Sequence, residues 1–87
     1  MTVRVEFYGI ARRRSGVESL DVEAANLGEL FAQVAERLPA LSTTCFANGR
    51  LKDGYLANIN GQQFASAVET PLDDGDTVLI LSADAGG

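Results

Sequence analysis

Few side chains in this sequence are equipped for chemistry. The 87 residues include no histidine and a single cysteine, Cys45. Neither an imidazole-based catalytic triad nor a Cys/His zinc cluster can therefore be assembled, and no intramolecular disulfide can form. Cys45 has no activating partner evident in the sequence and reads as an inert buried or loop thiol. The stretch LDDGDT (72–77) resembles part of a calcium loop, but the rest of that pattern and its closing glutamate are missing, so it reads as a turn and no metal site is expected. Neither glycine-rich phosphate motif is present, so no bound nucleotide or other cofactor is expected. What remains is the end of the chain, Ala85-Gly86-Gly87, and the α-carboxylate of Gly87. With nine glycines in 87 residues, a chance terminal pair has a probability of about 1% on composition alone.

A C-terminal carboxylate has a pKa of ~3.5, so at neutral pH it is an anion and a poor electrophile. Any chemistry at Gly87 requires prior activation by another protein. Glycine suits that use. It loses the most conformational entropy on ordering and adds nothing to a core, yet without a Cβ it can enter a narrow channel and present its carbonyl without steric block. The entropy lost in threading such a tail must be offset by docking of the folded body.

The elements that would position this terminus follow from the hydrophobic pattern. TVRVEFY alternates, with Val3, Val5 and Phe7 on one face and Arg4, Glu6 and Tyr8 on the other, and is predicted to be a half-buried strand. GIARRRSG is predicted to be a loop between glycines, and VESLDVEA a second strand antiparallel to the first. NLGELFAQVAERL switches to a helical period, with Leu27, Leu30, Phe31, Val34 and Leu38 on one face. Asn26 is placed as N-cap, Glu29 as its capping-box partner, and Pro39 as the stop. Residues 40–54 read as irregular, with turns at Asn48-Gly49 and Asp53-Gly54. YLANINGQQF is a strand, an Asn60-Gly61 turn and a short return strand. PLDDGD turns the chain into TVLILS, whose lack of a polar face is that of a central strand.

One helix can cover one face of a four- or five-stranded sheet, so the fold class is α+β, with one two-layer core in a single domain over residues 1–82 and a tail over 83–87. The element order suits the ubiquitin-like β-grasp, a mixed sheet whose last strand runs parallel to the first between earlier strands. The tail then leaves from the same end as Arg12, Arg13 and Arg14. If Val78 and Ile80 face the helix, Leu79 and Leu81 lie on the uncovered face, either as a partner site or shielded by Tyr8, Leu56 or the long loop. The arginines are either a solvated loop or contacts to an acidic partner or a phosphate. A net charge of −5 argues against nucleic acid and for a basic patch on a protein partner. No signal-peptide pattern or membrane-length apolar run occurs, and the single cysteine fits a reducing, cytoplasmic setting.

VRVEFYGIARRRSG, NLGELFAQVAERLP, ANING, PLDDGDTVLIL and the final AGG, taken in order, resemble the MoaD/ThiS family of ubiquitin-like sulfur carriers, closest to the small subunit of molybdopterin synthase. The resemblance runs nearly end to end. It implies that an ATP-using adenylyltransferase of the ubiquitin-activating type adenylates Gly87. Sulfur from a donor then displaces AMP, leaving a thiocarboxylate, with ATP used by that partner rather than held by this chain. It also implies a carrier rather than an enzyme, and an acceptor such as the molybdopterin synthase large subunit or a thiazole synthase. The tail LSADAGG lacks the prolines of some molybdopterin-type tails, which leaves a thiamine-type or other recipient open. A ubiquitin-like modifier joined to lysines, and a β-grasp binding module that makes no use of its tail, are the readings from other classes.

Overall fold

A computed structural model of the chain describes residues 1–82. Ala85, Gly86 and Gly87, on which the sequence reading places the chemistry, lie outside the described residues. The alternation near the N-terminus forms β1 (Thr2–Phe7), whose inward Val3, Val5 and Phe7 are buried. β2 (Ser19–Glu23) pairs antiparallel to it, with Val5 opposite Leu20. β5 (Tyr55–Ile59) and β6 (Gln63–Ala65) form a hairpin, and β7 (Thr77–Ser82) closes a five-stranded sheet of order β2-β1-β7-β5-β6. β7 runs parallel to β1 and antiparallel to β5. The continuous apolar run is thus the central strand, as its sequence requires.

The helix α2 (Leu27–Arg37) buries Leu27, Leu30, Phe31 and Val34 against the inner face of the sheet, where Val78 and Ile80 are fully enclosed. Asn26 caps it, its Oδ1 accepting from the Glu29 backbone N–H at 2.8 Å. Glu29 reaches back to the N–H of Ala25 at 2.8 Å, one residue before the cap rather than the cap itself. Two donors left without intrahelical partners are satisfied by that exchange. The Asn60-Gly61 turn has φ of 58° and 71°, left-handed values that Asn-Gly supplies at low cost, and Gln62, whose N–H donates to the Ile59 carbonyl at 3.0 Å, adds a third residue to the connection because Ile59 pairs with Gln63.

Two expectations are corrected. GIARRRSG is not a loop: Ile10–Ser15 form the helix α1, closed by Gly16 at φ 77°, whose N–H bonds the Arg12 carbonyl at 3.0 Å. Three successive arginines mask any 3.6-residue period, and what holds this short helix is burial of Ala11 in the core. Residues 40–54 are not wholly irregular. Pro39 ends α2 but also begins α3 (Pro39–Thr44), where its fixed φ suits a first helical position. A small hairpin follows, β3 (Phe46–Ala47) with β4 (Arg50–Leu51), around Asn48-Gly49. Leu41, Cys45 and Phe46 are buried, and the Phe31 and Phe46 rings pack at 5.5 Å. Tertiary contact orders a stretch whose local propensities are weak.

Candidate functional site

The site is built around the point where β7 ends. On one side β1 runs parallel, with Phe7 opposite Ile80, and the Tyr8 N–H donates to the Ile80 carbonyl at 3.0 Å before the chain turns into α1. On the other side β5 runs antiparallel, with Leu56 opposite Leu81 and Tyr55 opposite Ser82. Ser82, the last described residue, therefore stands beside the start of β5 with α1 following the strand on its other side. Pairing between distant residues fixes this, and no local signal does.

Arg12, Arg13 and Arg14 occupy the last turn of α1 at this end and are exposed. Arg12 forms an ion pair with Glu18. Arg13 and Arg14 take part in no ion pair among the described residues. The cation of Arg14 is close enough to favour ionisation of Tyr55, although burial outweighs it and raises that phenol. The structure thus connects the arginine segment to the strand beside β7.

On the uncovered face of the sheet, Leu79 and Leu81 are half-buried. Neither alternative in the sequence reading holds alone. Pairing sets Glu6 and Asn58 beside Leu79 and Leu56 beside Leu81, while Tyr8, Leu56 and Phe64 remain 41%, 37% and 62% exposed. Tyr8 donates its hydroxyl to Glu6 at 2.9 Å, which raises its pKa. Asn58 lies within this patch with its Oδ1 buried and without a partner among the described residues. Phe64 was missed from the sequence. No local signal placed it: a two-residue turn at Asn60-Gly61 would set Phe64 opposite Ala57 on the covered face, whereas the observed pairing, with Gln62 also in the connection, sets Phe64 opposite Asn58 and hence on the face of Leu79.

Cys45 is fully buried, and desolvation pushes its thiol pKa up, with Tyr55 and Lys52 pulling the other way. A shielded neutral thiol is a poor nucleophile, in line with its reading as inert. Among the described residues no group of three or more carboxylate, histidine or cysteine side chains is arranged to hold a metal ion. No helix among them is long and apolar enough to cross a membrane.

Comparison with known proteins places this geometry. The sequence pattern of the ThiS family matches residues 5–87. The search of curated proteins found no match. Among solved structures, the small archaeal modifier protein SAMP1 of Haloferax volcanii is similar over 100% of both chains, with a TM-score of 0.86 at 21% identity. A chain of the Amycolatopsis orientalis BexX/CysO complex matches at 26% identity and a TM-score of 0.80, covering 98% of this chain and 99% of that one. A chain of the complex between subunits 1 and 2 of the Helicobacter pylori molybdopterin-converting factor matches at 25% identity and a TM-score of 0.67, with 100% of each covered.

Proposed function

The chain belongs to the ThiS family, within the ubiquitin-like sulfur carriers and modifiers, and on that premise we propose that it carries sulfur on Gly87. The carboxylate oxygen of Gly87 attacks the α-phosphorus of ATP in the active site of an adenylyltransferase, releasing pyrophosphate and forming an acyl-adenylate. A sulfide-level sulfur nucleophile then adds to the acyl carbon and AMP leaves, giving the thiocarboxylate. The single observation that carries this reading is that the family match extends through Gly86 and Gly87, while the enclosed core formed by the described residues runs from Val3 to Ile80. The body formed by residues 1–82 has a packed core of its own. It acts as the handle by which partners take hold, with Leu79, Leu81 and the α1 arginines as docking groups and Ala85, Gly86 and Gly87 as the threaded segment.

For the recipient we favour molybdopterin synthesis, with a synthase large subunit as acceptor. The support is the similarity to a chain of the Helicobacter pylori subunit 1 and 2 complex and the Arg-bearing segment after the first strand. The CysO and SAMP1 similarities keep another sulfur acceptor, or conjugation to protein amines, as the second reading. The test is to incubate the full chain with the cognate activating enzyme, ATP and a sulfide donor and to measure intact mass. Exchange of one oxygen for sulfur at Gly87 is the expected result. Absence of exchange, with the same enzyme active on another carrier, overturns the proposal, and blotting for larger conjugates separates the modifier reading.

A further inference from the structure

The α1 arginines lie on one flank of the β7 terminus. The other flank carries a groove of about 520 Å³ that adjoins the open face at Leu56 and Phe64 and is lined also by Arg50, Lys52, Asp53, Tyr55 and Ser66. Its origin is a mismatch in strand length. β6 pairs with β5 only from Ala57 to Ile59, so Tyr55 and Leu56 have β7 as their one strand partner, and the Tyr55 N–H donates instead to the Lys52 carbonyl at 3.2 Å. The β4 segment and the turn after it form one wall of this slot, and the end of β6 forms the other.

The two walls differ in chemistry. Arg50 and Lys52 are exposed and take part in no ion pair among the described residues. The Lys52 ammonium donates to the carbonyl of Thr43, which uses one of its three N–H groups. Opposite them stand the exposed Leu56 and Phe64, whose apolar surface continues into Leu79 and Leu81 through the strand pairing. Local charge here also has the opposite sign to the whole chain. Five of the seven basic residues, Arg12, Arg13, Arg14, Arg50 and Lys52, lie at the end where β7 stops and outnumber the carboxylates beside them, Glu18 paired with Arg12 and Asp53 in the groove lining, whereas Glu23, Asp73, Asp74 and Asp76 lie at the other, beside the first residues of β1. A partner approaching the tail meets cations, although the chain as a whole carries −5.

We infer that the groove is a second docking site, which takes an extended acidic segment of the protein partner that receives the tail. Its carboxylates meet Arg50 and Lys52, an apolar side chain packs on Leu56 and Phe64, and its backbone runs in the slot where β6 stops short. This mode joins main-chain pairing at an open edge with charge complementarity. The assignment of the occupant rests on the carrier reading, whereas the groove's chemistry does not.

Two measurements on the full chain keep the two apart. In the first, the isotope-labelled protein is titrated with the peptide Ac-Glu-Val-Glu-Val-Glu-NH2 and amide shifts are followed. Changes confined to Arg50–Ala57 and Phe64–Ser66, absent in the doubly substituted Arg50→Glu/Lys52→Glu protein and absent with lysine in place of glutamate in the peptide, are expected. No shifts, or shifts only around α1, overturn the groove. In the second, adenylation kinetics are measured with the activating enzyme. Arg50→Glu/Lys52→Glu and, independently, Phe64→Ser are expected to raise KM for the carrier about tenfold with kcat unchanged, since a docking contact acts on binding and not on the chemical step. Unchanged KM in both variants overturns the assignment to this partner even if the peptide binds. If the unsubstituted chain is not adenylated at all, the carrier reading has failed, and the titration alone then decides the groove.

Discussion

Ile80 and Gly87 lie in one C-terminal run, and changing each in turn separates the folded body from its working end. Ile80 is fully enclosed on the central strand, between Phe7 of β1 and Ala57 of β5. Ile80→Ala removes buried methyl and methylene groups and leaves a cavity between three strands and α2. Such changes cost 2–5 kcal/mol, and a central, well-packed site such as this one is expected near 3 kcal/mol. For a domain of this size each kcal/mol moves Tm by roughly 4–8 °C, so Tm should fall by about 12–24 °C. Deleting Gly86 and Gly87 leaves the core of the described residues intact, and on the tail reading Tm should move by less than about 1 °C. The assays are thermal unfolding followed by circular dichroism and ATP–pyrophosphate exchange with the activating enzyme. The truncated chain should melt like the full chain and support no exchange. The Ile80→Ala chain, assayed well below its lowered Tm, should support it. A truncation that lowers Tm by several degrees, or one that still supports exchange, would refute the division between body and tail.

Removing the cap of α2 with Asn26→Ala should cost about 1 kcal/mol, measured by urea unfolding; adding Glu29→Ala should cost less than the sum of the single changes, because the two side chains close the same helix end. The carboxyl of Asp76 is held below its ordinary pKa by the Asp73 backbone N–H at 2.8 Å and then by the Asn60 amide at 3.0 Å. A depressed folded pKa contributes stability that is present above the unfolded value of about 3.9 and is lost as pH falls through the folded value. Asp76→Asn should therefore flatten stability against pH in the acid range below about pH 4, and an unchanged slope in acid urea titrations would remove Asp76 from that account.

The sequence determined the parts of this protein governed by short-range chemistry. Strict alternation in TVRVEF set β1 and its buried face, a clean 3.6-residue stripe set α2, Asn26 and Asn60-Gly61 set a cap and a turn, and the absence of a polar face in TVLILS made β7 central. The lack of histidine, the single cysteine and the terminal glycines are what directed the proposed chemistry to Gly87. Two short helices were not legible, because α1 offers three arginines and one buried alanine, α3 offers serine and threonines, and six-residue helices persist only where tertiary burial offsets their nucleation cost. Tertiary structure alone decided what surrounds the end of β7. Arg14, the Lys52–Tyr55 turn and Ser82 are far apart in the chain and come together there because β7 inserts between β1 and β5. The groove beside Tyr55 exists because β6 stops at Ala65, opposite Ala57. Such pairing depends on non-local hydrogen bonds and a shared core, which no window of neighbouring residues contains.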